Sequence, residues 1–181
     1  KGRQGTGDIV VHPQVFKCCN CNIYFVNPII ELDSLYRLYD DFDNIYKQKS
    51  SSEIAQIKRN VSYWNKLFSN KNSRETQLYF LDVGSASGEL VNEFISSGWE
   101  AHGIEPSKGL VELSINNFRL NNIKHSTVEE AEYPNNHFDL IHFWHVLEHV
   151  LDPKKVLDNI YNWLKPGGMV NLGTPSPDSI I

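Results

Sequence analysis

Three cysteines in 181 residues cannot build a disulfide-stapled scaffold, so the fold must rest on a hydrophobic core. No apolar run approaches the length that crosses a bilayer, and no secretory leader pattern is visible. Basic residues are also short in supply: 17 Lys and Arg stand against 22 Asp and Glu, a net charge of −5. Such a surface makes no field that gathers nucleic acid. Repeats and low-complexity tracts are absent. The expectation is a cytoplasmic protein with no membrane and no nucleic-acid partner. What is present, 40% hydrophobic and 22% charged residues, is ordinary for a globular chain, and the length fits one domain with a small appendage.

The cysteines lie together in Lys17-Cys18-Cys19-Asn20-Cys21. Disulfides between such close neighbours are geometrically awkward, and an odd count leaves one thiol over. Cys18 and Cys21 have the C-x-x-C spacing of half a zinc knuckle, but a structural site needs four ligands and His12 is the one nearby candidate. Reduced thiols and no bound metal are expected.

Residues 1–28 read as an appended segment with extended stretches at Ile9–Val11 and Ile23–Val26, and 29–74 as a helical cover. In the cover, Leu32, Leu35, Tyr36 and Tyr39 fall at helical spacing, residues 40–52 are polar, and Ile54, Ile57, Val61, Trp64 and Phe68 mark an amphipathic helix. Tyr36, Tyr39, Tyr46 and Trp64 are read as core aromatics rather than a lid. From residue 75 the chain alternates regularly. Strands are expected at 78–83, 100–104, 123–128, 138–143 and 169–173, and helices at 88–97, 107–120, 145–151 and 153–164. Pro166-Gly167-Gly168 reads as a sharp turn. Strict β/α alternation predicts an α/β fold, a doubly wound, mostly parallel sheet with its ligand at the switch point beside the first strand.

The richest stretch is Asp82-Val-Gly84-Ser85-Ala86-Ser-Gly88, between a strand and a helix, with Glu105 closing the next strand 21 residues after Gly84 (105 − 84). Such a βαβ unit holds an adenosine-bearing ligand: backbone approaches it at the glycines, and the acid accepts from ribose hydroxyls. A dinucleotide fingerprint needs G-x-G-x-x-G, and no third glycine stands in phase here, which argues against NAD. Ala86 occupies the middle position of the turn, where its methyl is tolerable if φ stays negative.

This motif resembles that of class I S-adenosylmethionine-dependent methyltransferases, with Ala86 in place of a glycine. The likeness runs over 78–176, through His137-Phe-Asp-Leu-Ile-His-Phe-Trp-His145-Val-Leu-Glu148-His149 and Leu164-Lys-Pro-Gly-Gly. It implies a Rossmann-like core over 75–181 that lacks the family's closing antiparallel hairpin. The last strand would then lie at an exposed sheet edge, through which an oligomer could form. Residues 18–28 are similar to the second half of a zinc ribbon found at the N-terminus of some family members.

The resemblance also implies S-adenosylmethionine as methyl donor. Gly84 and Gly88, with Ser85 between them, would shape the turn under its amino-acid portion, Asp82 would orient the turn and act indirectly on the ammonium group, and Glu105 would hold the ribose. Pro106 would flank the adenine and Glu129 would meet its amino group. The backbone around His142 and Phe143 would face the methionine portion, with Trp144 as a wall. His145 is the candidate general base, its ordinary pKa suiting work near neutrality. If residues 145–151 are helical, His145, Glu148 and His149 share one side, with Glu148 packing a histidine rather than completing a metal site. The expected acceptor is a small molecule such as a sugar or quinone precursor. The alternative is a non-catalytic binding or scaffold domain on a degenerate methyltransferase fold.

Overall fold

The computed structural model describes residues 14–27, 49–71 and 76–175. Ile9–Val11, His12, the 31–40 helix and Tyr36, Tyr39 and Tyr46 lie outside them. Strands β1 (Gln14–Lys17) and β2 (Tyr24–Asn27) form an antiparallel hairpin, followed by α1 (Ser51–Lys71). The core then runs β3 (Tyr79–Val83), α2 (Glu89–Ser96), β4 (Glu100–Glu105), α3 (Lys108–Phe118) and β5 (Ile123–His125). It continues with β6 (Phe138–Trp144), a 3₁₀ turn (Leu147–His149), α4 (Pro153–Trp163) and β7 (Leu164–Gly173).

The five core strands pair in parallel in the order β5-β4-β3-β6-β7. The order reverses between β3 and β6, so a crevice opens there at the carboxyl ends. Neighbouring side chains of a strand point to opposite faces, and both faces are apolar. Leu81, Val83, Ile141 and Phe143 pack against Val156, Ile160 and Trp163 of α4. Phe80 and Leu140 pack the other way, onto Val61 and Phe68 of α1 and Val91 and Phe94 of α2. Phe80 and Phe94 stack with centroids 3.7 Å apart. Asp82 and His142 continue this second face to its carboxyl end.

Helix starts follow side-chain chemistry. Ser50 and Glu53 form a reciprocal capping box at α1, and the Ser107 hydroxyl accepts from the Leu110 N–H at α3. The Asp152 carboxylate accepts from the Lys155 N–H, with Pro153 in the first turn of α4.

Three expectations need correction. Residues 145–151 form no α-helix but a three-residue 3₁₀ turn, because His145 sits at φ +55 and breaks the helical path. Pro166-Gly167-Gly168 is not a turn but part of β7, which starts at Leu164 and absorbs Gly167 at φ +81 through a register shift opposite Phe138–Leu140. Gln14–Lys17 is a strand although all four residues are exposed and give no apolar alternation. In that hairpin Cys18 and Cys21 stand at the turn as free thiols.

At the amino ends of the strands, the rings of His102 and His137 lie 6.2 Å apart. Burial holds both imidazoles below their ordinary pKa, with Lys124 adding to the effect on His102 and Lys165 to that on His137. Nearby Glu100 pulls the other way on both. Above the unfolded histidine value of about 6.5 both states are neutral and pH has no leverage through this pair. As pH falls through that value the unfolded chain takes up protons first, so stability declines until the folded values are passed. Urea midpoints measured between pH 7.5 and 5.5 should fall for the wild type. The fall should be shallower in a His102→Gln/His137→Gln double variant.

Candidate donor-binding site

The turn after β3 is built from left-handed residues. Gly84, Ala86 and Gly88 have φ of +74, +47 and +83. The Gly84 and Ser85 N–H groups donate to the Ile104 carbonyl, pinning the turn beside the end of β4. A Cβ at Gly84 would stand 2.5 Å from Val146 Cγ2, so only glycine lets the loop after β6 close against this turn. Gly88 serves packing: a Cβ there would meet Leu120, Ile123 and Ser114. Ser85 is buried with its hydroxyl unpartnered, directed toward Gly103.

Ala86 departs from the expectation of negative φ. Moving an L-residue into this region costs about 1–2 kcal/mol, so Ala86→Gly should relieve strain. The gain is offset by roughly 0.5–1 kcal/mol for the greater freedom of glycine in the unfolded chain. A net rise near 0.5 kcal/mol is expected from denaturant melts, where an ordinary Ala→Gly change lowers stability.

The Glu105 side chain reaches back under the turn. One oxygen accepts from the Ala86 N–H at 2.8 Å and the other from the Ser107 N–H at 2.9 Å. The acid thus ties the glycine turn to the cap of α3. A carboxylate has about four acceptor positions, so these two bonds do not by themselves exhaust it.

Beside Gly84 lies a cleft of about 240 Å³. Val83, Ile104, Pro106, Val128 and Val146 make its walls apolar, while Thr127, Glu129, Glu130, His149 and Lys155 supply polar groups. Glu129 Oε1 accepts from the Leu151 N–H at 3.1 Å, which links the segment after β5 to the loop after β6 across the cleft. Of the residues singled out in the sequence, Gly84, Pro106, Glu129 and His149 line this cleft. Glu105 lies buried beside the turn, and Phe143 is fully buried, so only its backbone is available there.

Asp82 is almost wholly buried, and its carboxylate lies 2.8 Å from His142 Nδ1. Burial pushes the Asp82 carboxyl up from its usual range, while His142 and the positive charge of Lys49 pull it down and Glu89 adds to the rise. The ring of Trp144 lies nearly parallel to that of His142, with an interplanar angle of 11° and centroids 6.2 Å apart. Gly173 leaves room for Trp144: a Cβ there would be 2.5 Å from the indole.

His145 is held in its left-handed conformation by its N–H bond to the Gly173 carbonyl, 2.8 Å. Its Nδ1 lies 3.4 Å from Glu148 Oε1, and Glu148 Oε2 accepts from the Thr174 hydroxyl at 3.2 Å. The imidazole side chain is 55% exposed at the lip of the sheet. Its pairing with Glu148 therefore comes from the bent loop rather than from a helix face. Among the described residues, no three His, Cys, Asp or Glu side chains gather into a metal site.

Lys49, Val146 and the side-chain role of His142 escaped the sequence reading, which took only the backbone around His142. Val146 and Lys49 gave no signal there. His142 shares a strand face with Leu140 and Trp144 by its period of two, but its contact with Asp82 spans 60 residues and needs the β3–β6 register.

Residues 53–180 match the family model described as a methyltransferase domain. Over 100 residues the chain is 30% identical to a ubiquinone biosynthesis O-methyltransferase of Coxiella burnetii, covering 53% of this chain and 43% of that protein. It is 27% identical over 143 residues to a demethylmenaquinone methyltransferase of Oceanobacillus iheyensis, covering 74% and 60%. The fold is like that of a plantazolicin methyltransferase crystallised with a pentazolic desmethyl-plantazolicin analogue and S-adenosylhomocysteine. The TM-score is 0.57 at 18% identity, over 82% of this chain and 55% of that one. The chain thus spans about half the length of the curated relatives it matches.

Proposed function

The chain belongs to the methyltransferase-domain family, and on that premise we propose that its protein transfers a methyl group from S-adenosylmethionine to a small-molecule acceptor. The observation that carries this reading is the Glu105 carboxylate, bonded to the Ala86 N–H at the switch point, beside an apolar cleft that begins at Gly84. When bound, the sulfonium supplies a methyl group already attached to its leaving group, so the protein's work is mainly alignment.

Glu105 accepts from the ribose hydroxyls, Pro106 flanks the adenine and Glu129 receives its amino group. Asp82 and the backbone at Gly84, Ser85 and Phe143 border the amino-acid portion, with Trp144 beyond. His145, exposed and steadied by Glu148, takes the proton from an oxygen or nitrogen acceptor. Quinone-precursor phenols are the favoured acceptors within the wider class that includes sugars, because one curated relative above is named for ubiquinone biosynthesis and the other for demethylmenaquinone.

Titration calorimetry with S-adenosylhomocysteine, followed by label transfer from methyl-labelled donor to catechols and hydroquinones, tests the reading. Donor binding and a labelled methyl ether are expected. His145→Ala should abolish transfer while leaving donor affinity near wild type. A non-catalytic scaffold predicts no binding heat.

A further inference from the structure

We propose that the exposed face of the Trp144 indole is the platform on which the methyl acceptor stacks, and that the acceptor it fits is a planar phenol rather than a sugar. This rests on the donor-binding reading above and names the specificity-determining residue and the substrate class of the same site. Trp144 closes β6, a strand whose other residues are buried or half-buried. It is 47% exposed, whereas Trp99 and Trp163 are almost wholly buried. Tryptophans are highly buried on average, so one left half in solvent where a parallel sheet places its ligands is informative.

Trp144 stands beside the donor turn. Val83 and Phe143 are the last register partners of β3 and β6, so Gly84 and Trp144 leave the sheet side by side, about 5 Å apart at the backbone. Two residues on, at most about 7 Å along the chain, Val146 packs against Gly84 and lines the apolar cleft. The indole itself lies over Gly173 of β7, where a Cβ would stand 2.5 Å from its Cε3 and Cζ3 atoms. Gly173 has no left-handed φ to require glycine. The edge strand gives up a side chain there to seat the ring.

The next residue supplies the chemistry that selects a phenol. The His145 ring stands at 89° to the indole, with centroids 5.8 Å apart. Its Nδ1 faces Glu148 Oε1 at 3.4 Å, which leaves Nε2 to take the acceptor's proton. An imidazole works as a base near neutrality. A phenolic hydroxyl has a pKa of about 10, whereas an alcohol holds its proton about as tightly as water, at about 15.7. The phenol is therefore the acceptor this base can help. Its oxygen lone pair forms the new O–CH₃ bond while the C–S bond of the donor breaks, the electron pair staying on sulfur to give S-adenosylhomocysteine. The hydroxyl proton passes to Nε2 and from there to water. Offset stacking of two flat rings also contributes beyond the area it covers, and a saturated ring gains only the area.

Calorimetry on the protein loaded with S-adenosylhomocysteine tests this with catechol and trans-cyclohexane-1,2-diol, which carry the same two hydroxyls on a flat and a puckered ring. The wild type should bind catechol about tenfold more tightly than the diol. Trp144→Ala should weaken catechol about tenfold and keep S-adenosylhomocysteine affinity within about twofold of wild type. Trp144→Phe should recover most of the loss. Gly173→Ala, which displaces the indole without removing it, should weaken catechol in the same selective way. Catechol bound no better than the diol by the wild type, or equally well by wild type and Trp144→Ala, would overturn the proposal. Equal losses of catechol and S-adenosylhomocysteine in Trp144→Ala would overturn it too, by making the indole a wall of the donor site. If the wild type bound no S-adenosylhomocysteine, the donor-binding reading itself would fail, a result distinct from failure of the Trp144 platform.

Discussion

Glu105→Gln is expected to weaken S-adenosylhomocysteine binding by more than a hundredfold. Two ribose hydroxyls would lose a charged acceptor, and each such bond contributes about 1.5–3 kcal/mol. The amide cannot replace the acid in the free protein either. One end can still accept from the Ala86 or the Ser107 N–H, but the other presents N–H against N–H. Leaving one buried donor unpaired costs about 1–3 kcal/mol, so the urea midpoint should fall as well. Glu105→Asp separates the two effects. It retains the charge but is one methylene short, so it should lose less affinity than glutamine if charge dominates, and as much if reach dominates. Isothermal titration and denaturant melts on the three proteins measure both quantities.

Gly84→Ala should be nearly as severe, for a different reason. The residue sits at φ +74, where an L-side chain costs about 1–2 kcal/mol. Its new methyl would also stand 2.5 Å from Val146 Cγ2, a distance that forces one of the two segments to move. Val146 is β-branched and stiff at χ1, so the backbone after β6 must give, and that backbone is one wall of the cleft. A stability loss of about 2–3 kcal/mol is expected, with donor binding below detection. Adding Val146→Ala should restore the steric part but not the backbone part. The double-mutant cycle should therefore show a coupling of about 1 kcal/mol or more. Strict additivity would mean that the two residues do not meet.

Much of this architecture could be read from the residues because the core strands are short apolar runs set off by glycine, proline and polar turns. Phe80 and Leu81, or Leu140 and Ile141, are buried on opposite faces, and such continuous runs mark a sheet covered on both sides. The exceptions have local causes. Gln14–Lys17 pairs with β2 while facing solvent throughout, so no hydrophobic pattern announces it. Pro166-Gly167-Gly168 has turn chemistry but is drawn into β7 by pairing with β6.

The site divides in the same way. Gly84, Pro106, Glu105 and Glu129 stand near one another because each follows or ends a strand of a parallel sheet, and strand ends are legible. The left-handed backbone of Ala86 and His145 was not, since neither residue type requires it. At Ala86 the Glu105 bond to its N–H, and at His145 the N–H bond to Gly173, accompany that conformation. The Asp82–His142 pair depends on register between strands 60 residues apart, which no local pattern encodes.

A crystal structure with S-adenosylhomocysteine would probe the whole assignment at one point, the contact between Glu105 and the sugar. Both ribose hydroxyls should lie about 2.5–3.0 Å from the Glu105 oxygens, with the adenine between Pro106 and Val128. A nucleoside bound elsewhere, with no ribose hydroxyl within hydrogen-bond reach of Glu105, would contradict it.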